Sequence, residues 1–407
     1  MTKPSTTRTA QGSAGEVFTA FLKLGLTSFG GPIAHLGYFR DELVTRRNWI
    51  DDKAYGDLVA LCQFLPGPAS SQVGFALGLF RGGALGALAA WVAFTLPSAI
   101  LLICIAYGAV FLSGTIGEGV IAGLKLVAVA IVAQAVWGMA RTLTPDRTRA
   151  SIALGAVLIV IFVAGSAGQV LAILAGAACG MLLCRDQSQA ISHHIEFMIP
   201  RAIGALLIAL FFVLLVILPI LAASGSLQGL AVFDAFYRAG FLVFGGGHVV
   251  LPLLETEIVG NGWVSRSDFL AGYGAAQAVP GPLFTFAGYL GAILGPQPHG
   301  VAGAAIALVA IFLPGFLLLV GVLPFWDSFR KRPDAQALMR GANAAVVGIL
   351  GAALYNPVFV GAVNGPYDFA LALSCFVLLT AWKTPPWIVV LVAATGGVAL
   401  NAIAYSS

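Results

Sequence analysis

Long apolar stretches alternate along the chain with short polar ones. Thirteen apolar stretches can be delimited, at about 16–39, 54–80, 84–112, 119–141, 150–167, 168–184, 199–222, 233–254, 269–294, 301–324, 335–361, 367–382 and 386–404. A helix that crosses the hydrocarbon core of a bilayer needs about 20 mostly apolar residues. Lipid offers the backbone no hydrogen-bond partners, so such stretches are expected to be helices that satisfy their own amides. The pattern predicts an all-α polytopic membrane protein in which the polar stretches form the loops.

Two stretches in each half of the chain carry residues that interrupt a helix. Stretch 16–39 contains Gly30-Gly31-Pro32, and 233–254 contains Gly245-Gly246-Gly247. Stretches 54–80 and 269–294 contain Pro66-Gly67-Pro68 and Pro280-Gly281-Pro282. Proline lacks the N–H and restricts its predecessor, while glycine admits backbone shapes closed to other residues. Broken helices are expected at all four places. Unwound backbone at membrane depth is tolerated only where protein buries it or where it lines a wet cavity.

The interruptions belong to an internal repeat. Phe21, Gly25, Phe29, Gly30 and Gly31 return 215 residues later as Phe236, Gly240, Phe244, Gly245 and Gly246. Trp49, Gln63, Pro66-Gly67-Pro68 and Gly74 return 214 residues later as Trp263, Gln277, Pro280-Gly281-Pro282 and Gly288. Leu96-Pro97 returns as Leu313-Pro314, and Gly123 as Gly341. The chain therefore divides into a tail (1–15), a first repeat (16–185), a linker with one connecting membrane helix (186–231) and a second repeat (232–407).

Loop charge sets the expected orientation, because Lys and Arg concentrate on the cytoplasmic side. Loop 40–53 carries Arg40, Arg46, Arg47 and Lys53, and loop 141–149 carries Arg141, Arg147 and Arg149, whereas 113–118 has only Glu118. In the second repeat the signs reverse. The counterpart of 40–53 holds Glu255, Glu257 and Asp268 against Arg266, and the counterpart of 113–118 holds Arg330, Lys331 and Arg332. The repeats are expected to be inverted, with the odd helix at 199–222 as the connection and the N-terminus in the cytoplasm. The four broken stretches either re-enter from one side or span fully; re-entry keeps loop 40–53 inside and loop 255–268 outside, as their charges require.

Composition narrows the function. Of 407 residues 59% are hydrophobic and 9% charged, against about 25% charged in soluble domains. The net charge of +4 sits in short loops without a basic, aromatic-studded face, which argues against nucleic acid as a partner. Cys62, Cys104, Cys179, Cys184 and Cys375 are scattered within apolar segments, as packing residues are, and imply neither disulfide nor metal. The absence of a Cys/His cofactor spacing or dinucleotide fingerprint leaves no basis for an enzyme, and no cofactor is expected. The lipid bilayer is the expected surroundings, and a homodimer is the working expectation for assembly.

Inverted repeats with broken helices are the pattern of secondary transporters, whose sites lie near the midplane between the repeats. A half-helix N-terminus offers free N–H groups and a positive dipole end, which suits an anion. The candidate substrate-binding residues are accordingly those of the breaks: Gly30, Gly31, Pro66, Gly67, Pro68, Gly245, Gly246, Pro280, Gly281 and Pro282. Lys23 and Arg238 occupy matching positions seven residues before each Gly-Gly and are candidate cations. Gln63 and Gln277 stand three residues before each Pro-Gly-Pro and can donate to an oxyanion, as can Ser70, Ser71 and Thr285 after it. His248 adjoins the second glycine run, and His35 follows the first. Lys125, opposite Asn343 in the repeat, is placed to snorkel, and His193-His194 lies in a polar linker. Carboxylates are expected to be nearly absent from mid-membrane.

The order Gly30-Gly31, Val44, Trp49, Pro66-Gly67-Pro68, Gly78, Gly86, with its intervals, resembles the signature of the chromate ion transporter (CHR) family in its long, two-domain form. The second repeat is similar but looser, with Trp263 one residue early and Ala292 in place of a glycine. The resemblance implies export of chromate across the inner membrane and chromate resistance, with sulfate as a structural analogue. Sulfate or another oxyanion as the substrate, or an anion channel in place of a carrier, stays open on the residues alone. A dianion leaving a negative-inside cell gains about 4.6 kcal/mol per 100 mV, at roughly 2.3 per charge, which favours export.

Overall fold

The computed structural model describes residues 12–109, 114–163, 165–185, 199–223, 228–244, 247–326 and 332–406. Most of the N-terminal tail, His193-His194, Gly245-Gly246 and Arg330-Lys331 lie outside the described residues.

Helix α1 (Ala14–Thr27) starts at Ser13, whose side chain accepts from the Glu16 amide. It stops at Ser28, and Gly30 and Gly31 follow with φ of 96° and 80°, values that side chains with a Cβ rarely adopt. Helix α2 (Gly31–Phe39) then runs on through a π-helical turn, Arg40–Arg46. The second leg returns beside the first. Phe21 and Phe39 stack edge to face at 5.5 Å, and the Trp49 indole N–H reaches Glu16 at 3.1 Å. The following segment repeats the manoeuvre. Helix α3 (Asp52–Phe64) is capped by Asp51, the chain breaks at Pro66–Pro68, and α4 (Ala69–Ala109) begins. Arg81 of α4 comes back to Glu16 at 3.1 Å, and its carbonyl accepts from the Gly12 amide at 2.9 Å. Both segments are thus hairpins whose ends meet at one end of the molecule and whose breaks form the tips. At Gly82 and Gly83 the backbone of α4 leaves helical geometry, and the rest of the helix runs on alone.

The same succession occurs beyond α8 (Arg201–Ala223). Helix α9 (Gln228–Phe241) is followed by a 3-10 turn Gly247–Val249, α10 (Val250–Leu254) and a π-helical turn Glu255–Val259. Then come α11 (Arg266–Ala276), a 3-10 turn Leu283–Thr285, α12 (Phe286–Ile293) and α13 (Gly300–Val322). The Gly295 amide bonds the Trp263 carbonyl at 2.9 Å, closing the second pair of hairpins at a common end.

Each half also supplies three further helices: α5 (Thr115–Leu143), α6 (Arg147–Phe162) and α7 (Ser166–Leu183), then α14 (Pro333–Ala353, continued to Ala362), α15 (Pro366–Thr380) and α16 (Pro386–Ser406). They interlock across the halves, α5 against α16 and α14 against α7. Small residues allow this: a Cβ on Gly123 would lie 2.8 Å from the Ala394 Cα, and one on Gly341 2.6 Å from the Gly180 Cα.

Among the described residues seven helices are long and apolar enough to cross a membrane. With this composition the chain is an all-α, multi-pass membrane protein. Helix α8 is the most apolar of these, with a mean hydropathy of 3.2 and 11% of its apolar window buried, so its surface is fit to face lipid.

Two sequence expectations need correcting. Residues 40–46, read as loop, are helical and continue α2. Carboxylates are also present inside the hairpins. Glu42, Asp234 and Glu257 are 7%, 3% and 5% exposed. They are tolerated because each lies against a cation: Lys23 on Glu42 at 2.7 Å, and Arg238 on both Asp234 and Glu257 at 2.9 Å.

Candidate functional site where four broken helices meet

The tips of the hairpins are laced together across the two halves. The Gly67 amide donates to the Val243 carbonyl at 2.7 Å, and the Gly281 amide donates to the Ser28 carbonyl at 2.9 Å. Val243 is the repeat counterpart of Ser28, so these are one contact made twice. Gly67 and Gly281 can serve because their φ values, 125° and 101°, turn the amide outward from the break. Pro32 packs on Gly247, and Gly31 faces the His248 Nε2. Each Pro-Gly-Pro also sits on the long proline-bearing helix of the opposite half: Gly67 on Gly315 of α13, Gly281 on Ser98 of α4.

Beyond each tip a half-helix begins. The N-termini at Gly30, Val249 and Pro282 have no side-chain cap. The first amides of a helix have no partner within it. A convergence of such ends is a positive, donor-rich environment fit for an anion.

Side chains complete the surroundings unevenly. His35, 1% exposed, pairs its Nδ1 with the Ser70 hydroxyl at 3.3 Å. Gln72, fully buried, donates from Nε2 to the carbonyls of Pro66 and Gly315, both at 3.0 Å, and so ties the first Pro-Gly-Pro to α13. His248 Nδ1 meets the Tyr273 hydroxyl at 2.8 Å. Thr285 donates to the Pro282 carbonyl at 2.7 Å. The Gln277 Nε2 is buried and has no partner among the described residues.

The structure therefore gathers Gly30, Gly31, Gly67, Pro68, Ser70, His248, Gln277, Pro280, Gly281 and Pro282 of the sequence candidates around the tips. Gly245 and Gly246 lie outside the described residues. Gln63 is exposed rather than turned into the site. Lys23 and Arg238 stand back from the tips, held by Glu42 and by Asp234 and Glu257. The amides of Gly67 and Gly281, expected to face an anion, are instead the hydrogen bonds that hold the halves together. Sequence reasoning missed Gln72 and the Glu42–Glu257 pair. The latter was readable, since Glu257 follows Glu42 by the same 215 residues that separate Lys23 and Arg238.

The family model for chromate transporters matches the chain twice, over residues 15–181 and 230–398. The chain belongs to the chromate transporter family. A chromate transport protein of Pseudomonas aeruginosa is 28% identical over 94% of this chain and 90% of its own length. A probable chromate transport protein of Synechococcus elongatus is 28% identical over 93% of each chain. An uncharacterized transporter of Methanocaldococcus jannaschii is 27% identical over 83% of each. No solved structure matches. The boundary between the two matched regions of this family member contains α8, and each matched region contains one pair of hairpins.

Proposed function

We propose that this member of the chromate transporter family is a secondary carrier that exports chromate across the inner membrane and so confers chromate resistance. The observation that carries the reading is the meeting of four uncharged, glycine- and proline-bearing helix breaks, from both halves, between long membrane helices. The halves are read as inverted repeats, 16–185 and 232–407, joined through the helix of the 186–231 linker. Charge supports a cytoplasmic N-terminus. Following the chain from helix to helix, Arg46, Arg47, Arg81, Arg141, Arg147, Arg149, Arg185 and Arg332 fall at one end, and Glu118, Glu255 and Asp268 at the other. The bond from Arg340 to the Cys184 carbonyl at 2.8 Å and the pair Arg185–Asp334 at 3.2 Å join α7 to α14 at the basic end. The bond from Asn401 to the Thr115 carbonyl at 2.7 Å joins α16 to α5 at the other.

Sulfate, also a tetrahedral dianion, fits the same kind of donor site and is the competing substrate. Uptake of labelled chromate into inside-out vesicles tests the reading, with sulfate as competitor. Saturable uptake that depends on the protein supports a chromate carrier. Uptake of sulfate alone replaces the substrate, and a non-saturating flux replaces the carrier with a channel.

A further inference from the structure

The lacing of the tips obeys the repeat, but the polar side chains around them do not. Around the tip of Gly281 the first half places Ser28, His35, Ser70, Ser71 and Thr95, between 0% and 4% exposed. Their counterparts in the second half are Val243, Val250, Phe284, Thr285 and Phe312. Four of five polar positions become apolar. The fifth keeps its hydroxyl and uses it differently: Thr285 donates to the Pro282 carbonyl, whereas the Ser71 hydroxyl is buried and has no partner among the described residues. The Ser28 hydroxyl and the His35 Nε2 are in the same condition.

Three buried polar atoms without partners, on two elements that touch through His35 and Ser70, would cost roughly 1–3 kcal/mol each if nothing met them. Ser71 lies in the first turn of α4, where the amides after Pro68 have no partner within the helix. If the Ser70 hydroxyl donates to the His35 Nδ1, the neutral ring carries its proton on Nε2 and presents a third side-chain donor. The arrangement contains no carboxylate and no ammonium or guanidinium group, since Lys23 is drawn away to Glu42.

We propose that the oxyanion is held off the axis of the repeat, by the first half alone, between the start of α4 and the side chains of Ser28, His35 and Ser71. Ser70 positions His35, and the second half offers the apolar wall of Val243, Val250, Phe284 and Phe312. The inference rests on the oxyanion-transporter reading and adds which half binds. It agrees with the looser signature of the second half, where selection needs only a packing surface.

The test measures binding of sodium sulfate and sodium chromate to the purified full-length protein, with efflux in parallel, for Ser28→Ala, Ser71→Ala, Ser71→Thr and Thr285→Val. Loss of one neutral donor to an anion should raise the apparent constant about tenfold. Ser28→Ala and Ser71→Ala are expected to show that rise with unchanged melting temperature. Ser71→Thr, which keeps a hydroxyl, restores affinity, and Thr285→Val shifts it less than twofold. Equal effects at Ser71 and Thr285, or normal affinity in both alanine variants, overturn the one-sided site while leaving the carrier intact. A wild-type protein that binds and moves neither anion overturns the transporter reading itself.

Discussion

An added methyl group separates a kink from a working joint at the tips. A Cβ on Gly67 would lie 2.9 Å from the Gln72 Nε2 and 3.0 Å from the Gly315 Cα, at a φ that alanine rarely adopts. A Cβ on Gly281 would lie 2.7 Å from the Ser98 hydroxyl. An ordinary mid-helix glycine changed to alanine gains roughly 1 kcal/mol; here both changes should instead destabilise and should abolish efflux. Pro68→Ala should be mild, since proline at a helix start serves mainly to fix φ. Thermal unfolding and chromate efflux of the three variants check this, and equal, near-normal efflux in all would move the site elsewhere. The buried charges make a second pair of expectations. Removing Arg238 leaves Asp234 and Glu257 buried without their cation, a loss of roughly 3–5 kcal/mol for a fully buried pair and less here because Arg238 is 33% exposed. Removing Lys23 leaves Arg46 and Arg47 on Glu42 at 3.1 and 2.9 Å. Arg238→Ala should therefore lower melting temperature and membrane abundance clearly, and Lys23→Ala should do so little. The reverse order would place Lys23 in the anion's path.

At the scale of the element, the breaks were legible because proline and glycine leave a helix no alternative at those points. The hairpin form follows from the same residues plus the loop charges. What escaped was contact across the halves: that Gly67 bonds Val243 depends on tertiary placement, and no local pattern marks Gln72, whose partners are Pro66 and Gly315. The helical continuation Arg40–Arg46 escaped because its charges resemble a loop, although Glu42 gathers three of them inward. If the hairpins re-enter, the turn after the first lies in the cytoplasm and its counterpart outside. Cysteine placed at the exposed positions Asn48 and Ser267, in a protein freed of its five native cysteines, reads this with an impermeant thiol reagent on intact cells. Labelling is expected at 267 and not at 48. The opposite pattern would mean that the broken segments span.

For the whole molecule the open quantity is what drives the anion. A site of neutral donors adds no charge of its own, so one cycle should move the two charges of the dianion and nothing else. At about 2.3 kcal/mol per charge per 100 mV, two charges amount to about 4.6 kcal/mol, or roughly a tenfold accumulation for every 30 mV. The competing source of energy would be a proton on the buried carboxylates of the second half, where one arginine faces both Asp234 and Glu257. In the first half three cations face Glu42, so a proton has no comparable place there. Inside-out vesicles clamped at a series of potentials, with equal pH on both sides, separate the two. Accumulation that follows the two-charge slope and ignores an imposed pH difference is the expected result. A steeper slope together with a response to pH would identify exchange with protons, and Asp234→Asn should then return the slope to two charges.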